Sequence, residues 1–273
     1  MSNAIHPTAE IDRSVEIGDG VKIGAFAVIG PDVIIGDDTY VGAAAHIEGP
    51  TRLGRGNRVY PKATIGFDPQ DLKWGGETVR LEVGDGNIFR EFCTVHRGTG
   101  LGGGVTTIGD RNLFMVYTHV AHNCHVGSHT IFSNNGTLAG HVEIRDHAII
   151  GAFSAVQQFC RVGEYAYIGG YTVVTKDALP YVKTVGHKPA CYGVNRIGLE
   201  RRGFDQQQIA RLESAMRVLL RSGLNTTQAL AKIRETWPAD PEITTLVEFV
   251  ESSEYGVIKV LPGANRKRGG ATD

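Results

Sequence analysis

Residues 17–36 read IGDGVKIGAFAVIGPDVIIG, and the isoleucines at 17, 23, 29 and 35 recur every six residues. Outward from this stretch the register holds at Ile5 and Ile11, and then at Val41, Ile47, Leu53, Val59 and Ile65. It lapses over 66–82, where Asp71 and Glu77 take the expected aliphatic places, and returns at Val83, Phe89 and Val95. The run RGTGLGGG (97–104) then moves the phase by one residue. From Ile108 the register is unbroken through Phe114, Val120, Val126, Phe132, Leu138, Ile144, Ile150, Val156, Val162, Ile168 and Val174. A period of six is neither the 3.6 of a helix nor the 2 of an alternating strand. It predicts a parallel β-helix, in which each hexad forms one side of a triangular coil of about 18 residues. Coils then stack at roughly 4.8 Å, with the leading aliphatic and the small fifth residue of each hexad facing inward.

The coil is expected over 1–190, with loop insertions near 66–82 and 96–107. A helical domain is expected over 191–262: Asp205 can cap DQQQIARLESAMRVLLRSG, whose Ile209, Leu212, Met216, Leu219 and Leu220 make one apolar stripe ended by Gly223. TTQALAKIRETW and DPEITTLVEFVESS follow as two more helices that would cap the last coil. The end, 263–273, has no apolar anchor and is expected to be disordered, its Arg266, Lys267 and Arg268 solvated.

Lys and Arg number 28 against 29 Asp and Glu, so no bulk field argues for nucleic acid and an anion site must be built locally. No apolar run reaches the roughly 18 residues of a membrane span, and the start, MSNAIHPTAE, lacks the pattern of a leader. The chain reads as soluble and cytoplasmic, without a transmembrane segment. Cys93, Cys124 and Cys160 fall on the fifth, inward position of their hexads. Cys124 and Cys160 lie 36 residues apart, two coils or roughly 10 Å, too far for a disulfide. They read as small buried thiols.

The stretch YTHVAHNCHVGSH (117–129) holds four histidines. Stacking hexads puts His122 in line with Gly140 and His141 one coil later and with Gln158 the coil after, while His119 lies beside the same corner. His125 aligns with Glu143 and Arg161 as a surface charge ladder, and His129 with His147 one side further round. Three readings compete for the stripe. It could be plain surface, a zinc site built from His119, His122 and His141, or a general base with hydrogen-bonding neighbours. An imidazole, ordinarily titrating near 6.5, suits the removal of a proton from a sugar hydroxyl that attacks a thioester.

HVAHNCHVG, NNGTLAGHVEI, AVQQFCRVG and GVNRIGLERRGF, together with DPQDLKWGGETVRLEVGD and VHRGTGLGGG, closely resemble the UDP-N-acetylglucosamine O-acyltransferases of lipid A biosynthesis over about residues 5–255. A related N-acyltransferase shares the histidine segment but carries a domain ahead of its coils. The resemblance implies a left-handed parallel β-helix with a C-terminal helical domain. It implies transfer of an (R)-3-hydroxyacyl group from acyl carrier protein to the 3-hydroxyl of UDP-N-acetylglucosamine, without metal or cofactor. It implies a homotrimer with sites between neighbouring subunits. His122 matches the base, and the N–H of Gly140 the donor to the developing oxyanion. Gln70, Asp71, Lys73, His96, His119, His141 and Gln158 match substrate-contacting positions. Asn195, Arg201 and Arg202 match the phosphate region, and Gly170 matches the position where bulk limits acyl length.

Three residues depart from the family pattern. Asn123 stands where Asp often follows the base; a carboxylate would orient the imidazole and favour its charged form, whereas an amide only orients it. Gln157 replaces a frequent histidine, and Ile197 a common glutamate near the nucleotide. Other functions remain open from the residues alone: amide-forming transfer to the 3-amino analogue of the sugar, a zinc-dependent carbonic anhydrase-like enzyme, or a binding module without chemistry. The GLGGG run lacks a following Lys-Ser/Thr, so it reads as a flexible loop rather than a phosphate loop.

Overall fold

The computed structural model describes residues 2–259; the expected disordered tail, with Arg266, Lys267 and Arg268, lies outside them. Among the described residues the six-residue register becomes a three-sided prism of strands, mostly two residues long, in sheets of eleven, nine and eight strands, all parallel except the last pair of the eleven. Successive coils pair 18 residues apart, as in Ala4↔Lys22 and Leu113↔Ile131. Two intervals are longer. Arg58 pairs with Ile88 and Ile88 with Leu113, because the first insertion adds twelve residues and the second seven. Twelve is a multiple of six and keeps the phase, whereas seven exceeds six by one, which explains the one-residue phase shift in the sequence.

Each leading aliphatic from Ile23 to Val174 is buried, and Phe89, Phe114 and Phe132 stack down the axis with centroids 4.9 and 4.8 Å apart. Cys93, Cys124, Cys160 and Cys191 are buried free thiols. The corners carry a cost the sequence did not announce. Residues such as Asn123, His129, His141, His147 and Tyr165 sit at φ near +60°, the left-handed region that glycine favours. Stacking offsets that strain: His129, His147 and Tyr165 form one ladder, with centroid spacings of 4.9 and 4.5 Å.

The coil passes into the rest of the chain through an antiparallel hairpin, Val182–Val185 with Ala190–Val194, which straddles the expected boundary at 190. Among the described residues four helices follow: α1 (Arg196–Arg201), α2 (Gln206–Arg221), α3 (Thr226–Thr236) and α4 (Pro241–Glu251). The short α1 has no periodic signal and was not expected. Asp205 does cap α2, and of the predicted stripe, Ile209, Leu212, Met216 and Leu219 are buried in one core continuous with the coil, with Leu220 partly buried against it. Arg161 ties the two parts. It does align with Glu143, but it is not a rung of a surface ladder: it pairs with buried Asp177 and donates to Ser252 Oγ and the Phe249 carbonyl. No described helix is long and apolar enough to cross a membrane.

Candidate active site

The outward column of the nine-stranded sheet reads Thr94, His119, Thr137, Ala155, Val173, each paired to the next. Polar side chains thus give way to small apolar ones toward the C-terminal end. At the following corner, His122 is 7% exposed and lies edge-to-face with His141, centroids 5.2 Å apart. His96 packs the same way on His119 at 4.9 Å. The imidazoles are crowded and poorly hydrated. Burial, helped by His119 and His122, pushes His96 down to about 4. Burial likewise lowers His119 and His141, with His122 adding to each.

Asn123 fixes the tautomer of the neutral His122 ring. Its Nδ2 donates to the carbonyls of Thr99 and Gly102, both at 3.0 Å, and its Oδ1 accepts from the Thr99 N–H at 2.9 Å. Backbone groups cannot exchange donor and acceptor roles, so the amide has one orientation. Its Oδ1 also meets His122 Nδ1 at 2.8 Å. Nδ1 must therefore carry the proton, which leaves the lone pair on Nε2. A Cβ added to Gly140 would lie 2.7 Å from that nitrogen, so only glycine fits there. Among the described residues the Gly140 N–H has no hydrogen-bond acceptor. A base and a free amide donor thus sit side by side.

Two contiguous hollows meet at this point. One, of about 480 Å³, runs along the small-residue column from His119 past Ala139, Gly140 and Ala155 to Val173. The other, of about 590 Å³, is walled by Gln70, Asp71, Leu72, Lys73 and Leu101 against His141 and Phe159. Gln70, His122 and Gln158 belong to both. The glycine-rich run, expected as a flexible loop, forms one 3-10 turn at Gly100–Gly102. Gly102 has to be glycine, because a Cβ would strike Asn123 and His141 at 2.4 and 2.5 Å. Thr94, whose Oγ1 meets His119 Nδ1 at 2.7 Å, was also missed; no single-residue pattern marks it. Among the described residues no three His, Cys, Asp or Glu side chains converge as metal ligands within the chain.

Residues 177–258 match the family model described as UDP N-acetylglucosamine O-acyltransferase, domain 2. Residues 14–49 and 141–176 match the bacterial transferase hexapeptide model of six repeats. A relative from Alkalilimnicola ehrlichii, named acyl-(acyl-carrier-protein)–UDP-N-acetylglucosamine O-acyltransferase, is 46% identical over 72% of this chain and 76% of its own. The crystal structure of UDP-N-acetylglucosamine O-acyltransferase from Moraxella catarrhalis is 40% identical, with a TM-score of 0.90 over 93% of this chain and 99% of that one. That of the UDP-N-acetylglucosamine acyltransferase from Bacteroides fragilis is 42% identical, with a TM-score of 0.91 over the same shares. The chain belongs to the UDP-N-acetylglucosamine O-acyltransferases. A coil of opposite hand could not superpose at such scores, so its winding is left-handed.

In this acyltransferase the other expected positions lie elsewhere on the prism. Arg202 reaches the carbonyl of His129 at 3.5 Å, at the corner on the far side of the His125 face, and Arg201 is exposed beside it at the end of α1. Asn195 Nδ2 is spent on the Tyr165 carbonyl at 3.0 Å. His129, expected as solvated surface, is instead the first rung of the ladder that Arg202 touches. Gly170 is exposed three residues before Val173, with only the Ala152 backbone within 4 Å of an added Cβ.

Proposed function

We propose that the His122 crevice transfers a 3-hydroxyacyl group from the thioester of acyl carrier protein to the 3-hydroxyl of UDP-N-acetylglucosamine, the first step of lipid A biosynthesis. His122 Nε2 takes the hydroxyl proton as the oxygen attacks the thioester carbonyl. The Gly140 N–H stabilises the resulting oxyanion, the carbon–sulfur bond breaks, and the imidazolium returns the proton to the departing thiolate. The observation that carries this reading is the Asn123 amide, whose fixed orientation leaves the His122 Nε2 lone pair against Gly140. Asp71, Lys73, His141 and Gln158 hold the sugar nucleotide, and the hollow from His119 to Val173 takes the acyl chain. A base whose Nε2 lone pair lines the crevice is suited to direct attack, without a covalent acyl-enzyme.

A homotrimer completes this site. Leu72 and Leu101, on the wall of the crevice, are 105% and 82% exposed, a poor arrangement for apolar side chains that no neighbour covers. The cationic pair Arg201 and Arg202, with Asn195 beside them holding the Tyr165 carbonyl, then comes from the adjacent subunit to meet the phosphates. The test is mass spectrometry of products from mixed 3-hydroxyacyl carrier proteins with UDP-N-acetylglucosamine or its 3-amino analogue. Wild type should give the ester, and His122→Ala should lose about 10²–10⁴-fold in kcat/KM while retaining nucleotide binding. Equal turnover by His122→Ala would remove the base from the mechanism, and amide as the main product would change the acceptor.

A further inference from the structure

Two loops that are no part of the coil make the outer wall of the crevice. The loop from Asp68 to Val79 carries Gln70, Asp71 and Lys73, and the 3-10 turn carries Leu101. One side chain joins them. Glu77 Oε1 accepts from the Gly100 N–H and its Oε2 from the Gly75 N–H, both at 2.9 Å. The tip between is a tight turn, closed by the Trp74 N–H to the Asp71 carbonyl at 3.0 Å and by the Lys73 N–H to Asp71 Oδ1 at 2.9 Å. At the far end the 3-10 turn is bolted to Asn123 through Thr99 and Gly102, and Asn123 holds His122.

The structure assigns Glu77 a role that rests on the acyl transfer proposed above: it is a positioning residue. It sets the distance of Asp71 and Lys73 from His122 by fastening their loop to the turn that Asn123 grips. A carboxylate is the group for this, since it only accepts and can serve two backbone N–H donors at once. The N–H groups of Gly100, of Glu77 itself and of Gly75 hold its carboxyl below the ordinary range, so the clip is charged at neutral pH. The residue took an aliphatic place in the hexad register, and its side chain pairs with no Lys or Arg among the described residues. An exposed glutamate without such a duty would be solvated.

Glu77→Ala and Glu77→Gln decide the matter, read by steady-state kinetics, melting temperature and amide exchange. With Glu77→Ala, KM for UDP-N-acetylglucosamine should rise about tenfold while kcat stays within about twofold. Exchange at Gly75 and Gly100 should quicken, with the melting temperature unmoved. Glu77→Gln keeps one acceptor and should fall between. An unchanged KM, or a loss confined to kcat, would overturn the assignment. Unchanged exchange at Gly75 and Gly100 would do so even if wild type made no ester, a result that by itself would count against the proposed reaction and not against the clip.

Discussion

Asn123→Asp replaces an NH₂ by an oxygen and installs a carboxylate beside His122, so the simplest expectation is a better base. The hydrogen bonds give the opposite answer. Asn123 is 1% exposed, and its Nδ2 is the donor to two carbonyls, those of Thr99 and Gly102. Leaving a buried acceptor without a donor costs about 1–3 kcal/mol, hence roughly 2–6 kcal/mol for the pair. Against this, the contacts from the Thr99 N–H, the Thr99 hydroxyl and His122 Nδ1 become charge-assisted, a gain of up to about 1 kcal/mol each over neutral bonds. Repulsion between a carboxylate and two carbonyl oxygens, and its desolvation, add to the loss. Protonating the acid would restore only one of the two donors. The net is a destabilisation of about 2 kcal/mol, equivalent to a fall of roughly 4–8 °C in melting temperature for a chain of this size. The loosened Gly100–Gly102 turn no longer holds the crevice wall, and kcat/KM should drop about tenfold. Urea denaturation and initial rates on the same preparation measure both. A variant as stable as wild type and more active would refute the derivation.

Two other perturbations read different parts of the site. Folded His96 titrates near 4, because burial dominates, while an unfolded imidazole titrates near 6.5. Between those values the unfolded chain binds a proton that the folded one refuses, so stability is full above pH 6.5 and falls as the pH drops toward 4, by about 3 kcal/mol in all. His119 and His141 are displaced in the same direction. In urea titrations His96→Gln should have the flatter stability profile over this window; parallel profiles would show that His96 is not held neutral. Beyond the other end of the small-residue column, Gly170→Met should still fold, at the cost of a few tenths of an ångström of movement where an added Cβ meets the Ala152 carbonyl at 3.3 Å. It should shift the preference toward shorter 3-hydroxyacyl donors, and an unchanged chain-length profile would dissociate Gly170 from the acyl hollow.

The coil was legible because a register of six leaves its inward residues no choice: each is walled by the coils above and below, so aliphatics there are obligatory. The same arithmetic placed His122, Gly140, His141 and Gln158 together across 36 residues of chain, for a stacked fold converts sequence offset directly into distance. What escaped has the opposite character. The link from His122 through Asn123 and the 3-10 turn to Glu77 runs between coil and insertions, where offset no longer measures distance. Backbone carbonyls and N–H groups make most of its bonds, and they have no sequence signature. Arg161 aligned as expected, yet its role was misread, because register gives a column and cannot say that Asp177 and α4 will cover it. Asn123 read as a deficit for a similar reason: the oxygen it offers His122 was visible by analogy, but the two carbonyls needing its NH₂ were not.

The prism also explains why one chain presents separated parts. Each coil turns three corners, and the ones that matter bound the same face: His122, Asn123 and His141 on one edge, and His129, His147 and Tyr165 with Arg202 on the next. The His125–Glu143–Arg161 strands fill the face between them. Side chains on two edges of a convex prism point apart, so a ligand joining both within one protomer would have to lie across that face, away from the His122 Nε2 lone pair and the Leu72–Leu101 wall. Packing prisms side by side removes the difficulty, since the arginine edge of one can approach the histidine edge of another. Rotational closure then repeats the contact at every subunit and leaves none unpaired. The exposed leucines, the distant guanidinium groups and the two-sided crevice all fit this one geometry, which is why the site is proposed to exist only in the assembled trimer.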